Sequence, residues 1–211
     1  MVIFAMVISI LFSSFKAFIL SSEAVKNEIE QSESLRTVYR RISMDLEALF
    51  VLQPPRYKKP EFDSDPDPYR FVGDKETIGN TVASSIMFAS KAHVKFGADP
   101  RNGVSRITYF LRENKNNSLD LFRADTLLPF SGISTSCSEH VVCKNVSEFQ
   151  AEFTDYDGNT RDYWNSDTDE FQYAFPASID LKITLDSGEK KRQFTVSITL
   201  PVERNLLDSN F

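Results

Sequence analysis

The sequence is poor in the residues on which most catalytic and cofactor-binding motifs depend. It has 7 Gly in 211 residues, with neither a G-x-G-x-x-G nor a P-loop among them, so it offers no backbone cradle for a phosphate or a dinucleotide. His93 and His140 are the only histidines, and neither lies beside a nucleophile motif such as G-x-S-x-G. His93, in Ala92-His93-Val94, reads as a strand residue at the surface. Basic residues are outnumbered by acidic ones, 24 against 30, for a formal charge of -6, and no positive field exists to displace counterions from a nucleic acid. These absences set aside nucleic acid and small-molecule substrates, and the expectation is a protein that is not an enzyme and has no cofactor.

Cysteine is equally scarce. Cys137 and Cys143 are the only two, a spacing compatible with one disulfide across a short loop in an oxidising compartment or with two free buried thiols. Glu139 and His140 lie near them, but a stable zinc site wants a fourth ligand and closer spacing. Asp63, Asp65 and Asp67 are interrupted by Pro66 and lack the glycine turn of a calcium loop, so they read as solvated acid. Asp155-Tyr156-Asp157-Gly158-Asn159 lacks the bidentate Glu of such a loop and reads as a hairpin turn. No metal is expected.

What is present begins at the amino terminus. Residues 1–15 contain no charge, no Pro and no Gly, and from Ser21 to Leu52 charges of both signs surround an apolar stripe. The pattern predicts one continuous helix over 1–52, about 78 Å long at about 1.5 Å per residue, with an apolar half over 1–22 and an amphipathic half over 23–52. Fifteen uncharged residues cover roughly 22 Å against a hydrocarbon core of about 30 Å, so Lys16 must snorkel and let Ala17 to Leu20 join the apolar run. A cleaved signal peptide is the alternative, but its basic leader is missing and the helical pattern runs past any cleavage point. In the wet half, Val25, Ile29, Leu35, Val38, Ile42, Leu46 and Leu49 follow spacings of mostly three and four, which predicts one face packed on a sheet. Arg41 and Asp45, one turn apart, read as a solvated outer face.

Pro54 and Pro55 stop the helix. Residues 53–80 hold five of the nine prolines and the acidic run, and are expected to be loop. From Thr81 the period changes to two. Ile86 with Phe88, then Ile107, Tyr109 and Leu111, the polar turn 113–118 and Leu119 to Arg123 predict strands and a hairpin. Phe149, Ala151 and Phe153 lead to the Asp157-Gly158 turn and a short edge segment at Tyr163-Trp164. Ile179, Leu181, Ile183 and Leu185 pair with Phe194, Val196, Ile198 and Leu200 around Asp186-Ser187-Gly188, with polar residues between them, so one sheet face is wet and the other buried. The buried faces and the helical stripe are each the other's only large candidate partner. The fold class is α+β, a long amino-terminal helix packed on a mainly antiparallel sheet domain over 81–211.

That layout resembles type IV pilin-like proteins. Val2-Ile3-Phe4-Ala5-Met6-Val7 is similar to the latter part of a prepilin segment. Arg106-Ile107-Thr108-Tyr109, Leu119 to Arg123, Val146-x-x-Phe149 with Phe153-x-Asp155, Trp164, Pro176 and closing strands to Pro201-Val202 resemble minor pseudopilin J of type II secretion. The family begins with a basic leader, a Gly at the cleavage point, a Phe that becomes the methylated terminus and a Glu four residues later. None is present, so the chain is expected to start inside the apolar helix, through a late start codon or trimming, and not to be cut by prepilin peptidase as given.

The resemblance implies a single-pass protein of the bacterial inner membrane with its carboxy-terminal domain in the periplasm. Pseudopilins I and K are the implied partners, with H as a further candidate, in a tip complex that primes the pseudopilus. It also implies that Ile3, Phe4, Ile8, Leu11, Phe12 and Phe15 form the membrane and assembly surface. Two other readings stand beside it: a type IV pilus minor pilin, and a secreted β-sandwich module that binds a ligand such as a glycan through Tyr156, Tyr163 and Trp164.

Overall fold

The computed structural model describes residues 2–54, 56–61, 63–79, 81–94, 102–128, 138–186 and 191–206. One helix, α1, runs from Val2 to Glu47 without a Pro or Gly to interrupt it. The chain divides into two compact units, Met1–Thr37 and Val38–Phe211.

The first unit is helix. Its polar turns are closed locally: Lys26 meets Glu30 at 3.8 Å, and Ser34 and Thr37 hydroxyls donate at 2.8 Å to the carbonyls of Glu30 and Glu33.

The second unit begins with the last turns of α1 and continues, among the described residues, with twelve strands: β1 Arg56–Tyr57, β2 Val72–Ile78, β3 Thr81–Ser90, β4 Ser105–Glu113, β5 Leu119–Leu127, β6 Ser138–Cys143, β7 Val146–Thr154, β8 Thr160–Arg161, β9 Trp164–Asn165, β10 Ser178–Asp186, β11 Lys191–Thr199 and β12 Asn205–Leu206. They form a six-stranded sheet in the order β6-β5-β4-β3-β2-β9, a four-stranded sheet in the order β11-β10-β7-β8, and the pair β1-β12. Among the described residues the two larger sheets are antiparallel and β1-β12 is parallel. The architecture is α+β.

Two of the expected boundaries move. The helix ends at Glu47 instead of Leu52, because the sheet takes over the backbone before the prolines: Phe50 donates to the Ala89 carbonyl at 2.8 Å, Lys91 donates to that of Ala48 at 2.9 Å, and Leu49 bridges Ser90. Residues 53–80, expected to be loop, contain β1 and β2. Strand β2 pairs with seven residues of β3, yet its residues 74–77 are exposed, so it has no alternation of apolar and polar side chains to announce it.

The hairpin of β4 and β5 pairs from Ser105↔Leu127 to Glu113↔Leu119. Asn114 Oδ1 accepts the amides of Asn116 at 2.9 Å and Ser118 at 3.3 Å and closes the turn. Asp155 Oδ1 does the same for Asp157 and Asn159, and Gly158 supplies a φ of 87°. Strands β10 and β11 form the expected antiparallel pair, in the register Ile179↔Ile198 through Leu185↔Arg192; the Ser187-Gly188 turn lies outside the described residues.

The core lies where the two larger sheets meet. Phe71 contacts Phe88, Phe153 and Phe175 with ring centroids 6.1, 5.7 and 6.0 Å away, and the Ala151 amide reaches Ser84 Oγ at 2.9 Å. Gly73 permits this approach: a Cβ there would stand 2.1 Å from the Phe153 ring. Each fully buried Phe or Leu contributes roughly 1.5–3 kcal/mol.

Candidate functional site

The amino-terminal part of α1 carries large apolar side chains in the open. Ile3 is 80% exposed, Phe12 71% and Phe15 63%, and Phe4, Ile8 and Leu11 are exposed with them. These six follow a helical stripe, but Met6, Val7, Ile10, Phe18, Ile19 and Leu20, which are not on the predicted surface, are exposed too. The helix is therefore apolar on all sides. Contiguous apolar surface of this kind is rare on a soluble monomer and marks a place that another apolar phase or protein covers. Among the described residues, no helix is long and apolar enough to cross a membrane.

Along the predicted packing stripe the residues divide. Val25 and Ile29 are 52% and 57% exposed, so the structure does not put them in a packed face, whereas Leu35, Val38, Ile42, Leu46 and Leu49 are buried. Residue Tyr39, beside the stripe, sets its ring 5.9 Å from that of Phe194 on β11. The stripe fails at its start because an amphipathic period shows which side of a helix is apolar, not how much of its length is covered.

Asp45 is not solvated. Its side chain is fully buried, and it stands at the center of a charge cluster between α1 and the six-stranded sheet. Arg123 on β5 donates to it from Nε at 2.6 Å and Nη2 at 3.2 Å, Tyr109 on β4 from its hydroxyl at 2.6 Å, and Arg41 pairs with it at 2.8 Å. Ser90 Oγ adds a bond to the Asp45 carbonyl at 2.7 Å. Burial alone lowers the Arg123 pKa, but Asp45 reverses this and holds it above its ordinary value. Burial, with the Asp45 charge, pushes the Tyr109 phenol well up. Both shifts keep Arg123 charged and Tyr109 neutral across ordinary pH.

The signal for this cluster was in the sequence. Val38, Ile42, Asp45 and Leu49 are spaced by four, three and four, so Asp45 lies on the apolar face. Arg123 follows Leu121 by two and shares its buried side of β5.

A second clasp joins segments far apart in the chain. Arg204 Nη1 meets Asp67 Oδ2 at 2.7 Å with both side chains fully buried, and its guanidinium lies 4.2 Å from the Tyr57 ring center and 4.7 Å from that of Phe175. Asp67, read as solvated acid, is thus an interior anchor, while Asp63 and Asp65 are exposed. No local pattern marks Arg204.

His93 also differs from expectation. It follows β3 instead of lying on a strand, and its ring is mostly covered. Its Nδ1 is 2.8 Å from Asp125 Oδ1 and 2.9 Å from Ser105 Oγ. A serine and a carboxylate that share one ring nitrogen do not form a relay, which needs one at each nitrogen. Cys143 is buried, its thiol pushed up to about 11 by desolvation; Cys137 and any bridge to it lie outside the described residues. Among the described residues no group of three or more His, Cys, Asp and Glu could hold a metal. Of the three aromatics of the binding-module reading, Trp164 is buried, with Nε1 donating to the Ala174 carbonyl at 3.0 Å, while Tyr156 and Tyr163 are exposed. The geometry describes a surface to be covered and a domain clamped from within.

No curated protein matches the chain. A family model described as type II secretion system (T2SS), protein J, matches residues 13–196. That match takes in most of α1 and eleven of its strands through most of β11. The chain belongs to the protein J family of the type II secretion system.

Proposed function

We propose that the protein is a minor pseudopilin that serves as a tip or priming subunit of the pseudopilus and assists export of folded proteins across the outer membrane. The reading rests on the family together with one observation: the all-round apolar surface that includes Ile3, Phe4, Ile8, Leu11, Phe12 and Phe15. Before assembly these side chains lie in the inner membrane with the globular unit in the periplasm. During assembly they exchange lipid for the helices of other pseudopilins, a trade of similar contacts that proceeds at modest net cost. Pseudopilins I and K are the partners, with H as a further candidate. The role is structural, and Val38, Ile42, Leu46 and Leu49 serve it by fixing the end of α1 to the globular unit.

Affinity purification of the tagged full chain from its source cell tests the reading. Pseudopilins I and K should be enriched with it. Recovery of type IV pilus subunits in their place would transfer the protein to that machine, and recovery of neither would contradict the assembly role.

A further inference from the structure

Three arginines that reach the interior of the globular unit are matched with carboxylates. Arg123 has Asp45 and Asp125, Arg204 has Asp67 and Arg41 has Asp45. On the surface Arg112 has Glu139 and Arg161 has Glu170. Arg106 departs from this pattern. It is half-buried, and its Nε is closed off from solvent without a hydrogen-bond partner among the described residues. The charge that acts on it is a like one: burial first, and then Arg70, push its pKa down. Arg70 donates from Nη1 to the Asp67 carbonyl at 3.2 Å, and among the described residues no carboxylate pairs with either guanidinium.

An unmet buried N–H and two adjacent like charges both oppose folding. The chain has 30 acidic residues, so carboxylates are not in short supply. A half-exposed arginine kept in this condition fits a group whose counter-charge arrives from outside.

Its surroundings point to the kind of visitor. Arg106 alternates with Ile107, whose neighbor Tyr109 on the same face bonds Asp45 of α1, so Arg106 lies on the opposite face of the six-stranded sheet. It pairs with Ala89 on one side and Thr126 on the other. The Ala89 carbonyl holds the Phe50 amide, the Phe50 ring meets Tyr69 edge-on at 4.9 Å, and the Lys91 ammonium stands 5.4 Å from the Phe50 ring center. Guanidinium forks match planar carboxylates, and Arg, Tyr and Phe are enriched in protein interfaces. A bare inorganic anion would make no use of the rings.

We propose that Arg106 and Arg70, beside Phe50, Tyr69 and Lys91, form a docking point for an acidic side chain of a protein partner. This goes beyond the assembly role and rests on it only for a protein partner in the same compartment.

The test is photo-cross-linking of the full chain in its source cell, with p-benzoylphenylalanine in place of the exposed Lys91. The expected product joins the chain to another protein at a site within a few residues of an Asp or Glu. Arg106→Glu lowers its yield at least about tenfold, and exchange of that partner carboxylate for Arg restores it. Arg106→Met and Arg70→Gln supply the same readout if Glu at 106 prevents folding, since neither introduces a buried negative charge. An unchanged yield in these variants, a product made only with a second copy of this chain or with lipid, or failure of the exchange to restore it overturns the proposal. Loss of pseudopilin co-purification from the parent chain counts against the assembly role; co-purification kept while Arg106→Glu cross-links like the parent counts against this site alone.

Discussion

Residues 3–20 carry large apolar side chains on the outside, and the globular unit of residues 38–211 carries charged side chains on the inside. The two regions depart from the usual partition in opposite directions, and the difference shows where each finds its missing partner. Asp45, Asp67, Arg123 and Arg204 are satisfied within the chain, at distances of 2.6 to 2.7 Å. Ile3, Phe12 and Phe15 have no such cover within it. One region meets its polar and charged groups from within; the other leaves its apolar side chains exposed.

The comparison breaks most readily at Asp45. Asp45→Ala leaves Arg123 buried with only Asp125 beside it and leaves the Tyr109 hydroxyl unpaired, at a cost of about 3–5 kcal/mol, read as a fall in the urea midpoint of unfolding. In the other region Phe12→Lys places a charge where lipid or a neighboring helix is expected. It should weaken membrane retention by about 3 kcal/mol and leave the urea midpoint of the globular unit unchanged.

Smaller effects sharpen the same contrast. Gly73→Ala drives a methyl group into the Phe153 ring and should destabilize by about 1–3 kcal/mol, again in the globular unit alone.

Acid titration should reveal the interior charges. Burial pushes the Asp125 carboxyl up, but the Val94 amide, His93, Arg123 and Ser105 outweigh it and hold it below its ordinary value. A carboxyl depressed in the folded state contributes stability above its unfolded pKa and loses it as pH falls through the folded one. The loss from Asp125 should therefore develop below about pH 4, as the carboxyl is protonated. Asp125→Asn should flatten that limb of the urea midpoint against pH.

How much of this the sequence shows depends on whether the cause is local. The helix, the β10-β11 pairing and the Asp157-Gly158 turn each arise from neighbors in the chain, and they are legible. Strand β2 is not, because its exposed residues owe their conformation to pairing with β3 and not to an apolar face of their own. Asp45 and Arg123 can each be assigned to a buried face by spacing, yet 78 positions separate them, and nothing in either segment names the other. Asp67 and Arg204 are 137 positions apart, and the acidic run around Asp67 argues actively for solvent. The end of α1 moved for the same reason: the acceptor for Phe50 is Ala89, a residue of another strand. Exposure along α1 belongs to this class too, since Val25 and Leu35 share a stripe in sequence and differ in burial.

The most direct measurement of the contrast is labeling of single-cysteine substitutions with a membrane-impermeant maleimide in spheroplasts of the source cell, read peptide by peptide by mass spectrometry. Leu11→Cys should be protected and Tyr156→Cys, on the exposed turn of the globular unit, should react freely. Equal labeling of the two sites would contradict the account, because it would mean that the apolar end of α1 stands in water as openly as the surface of the folded domain.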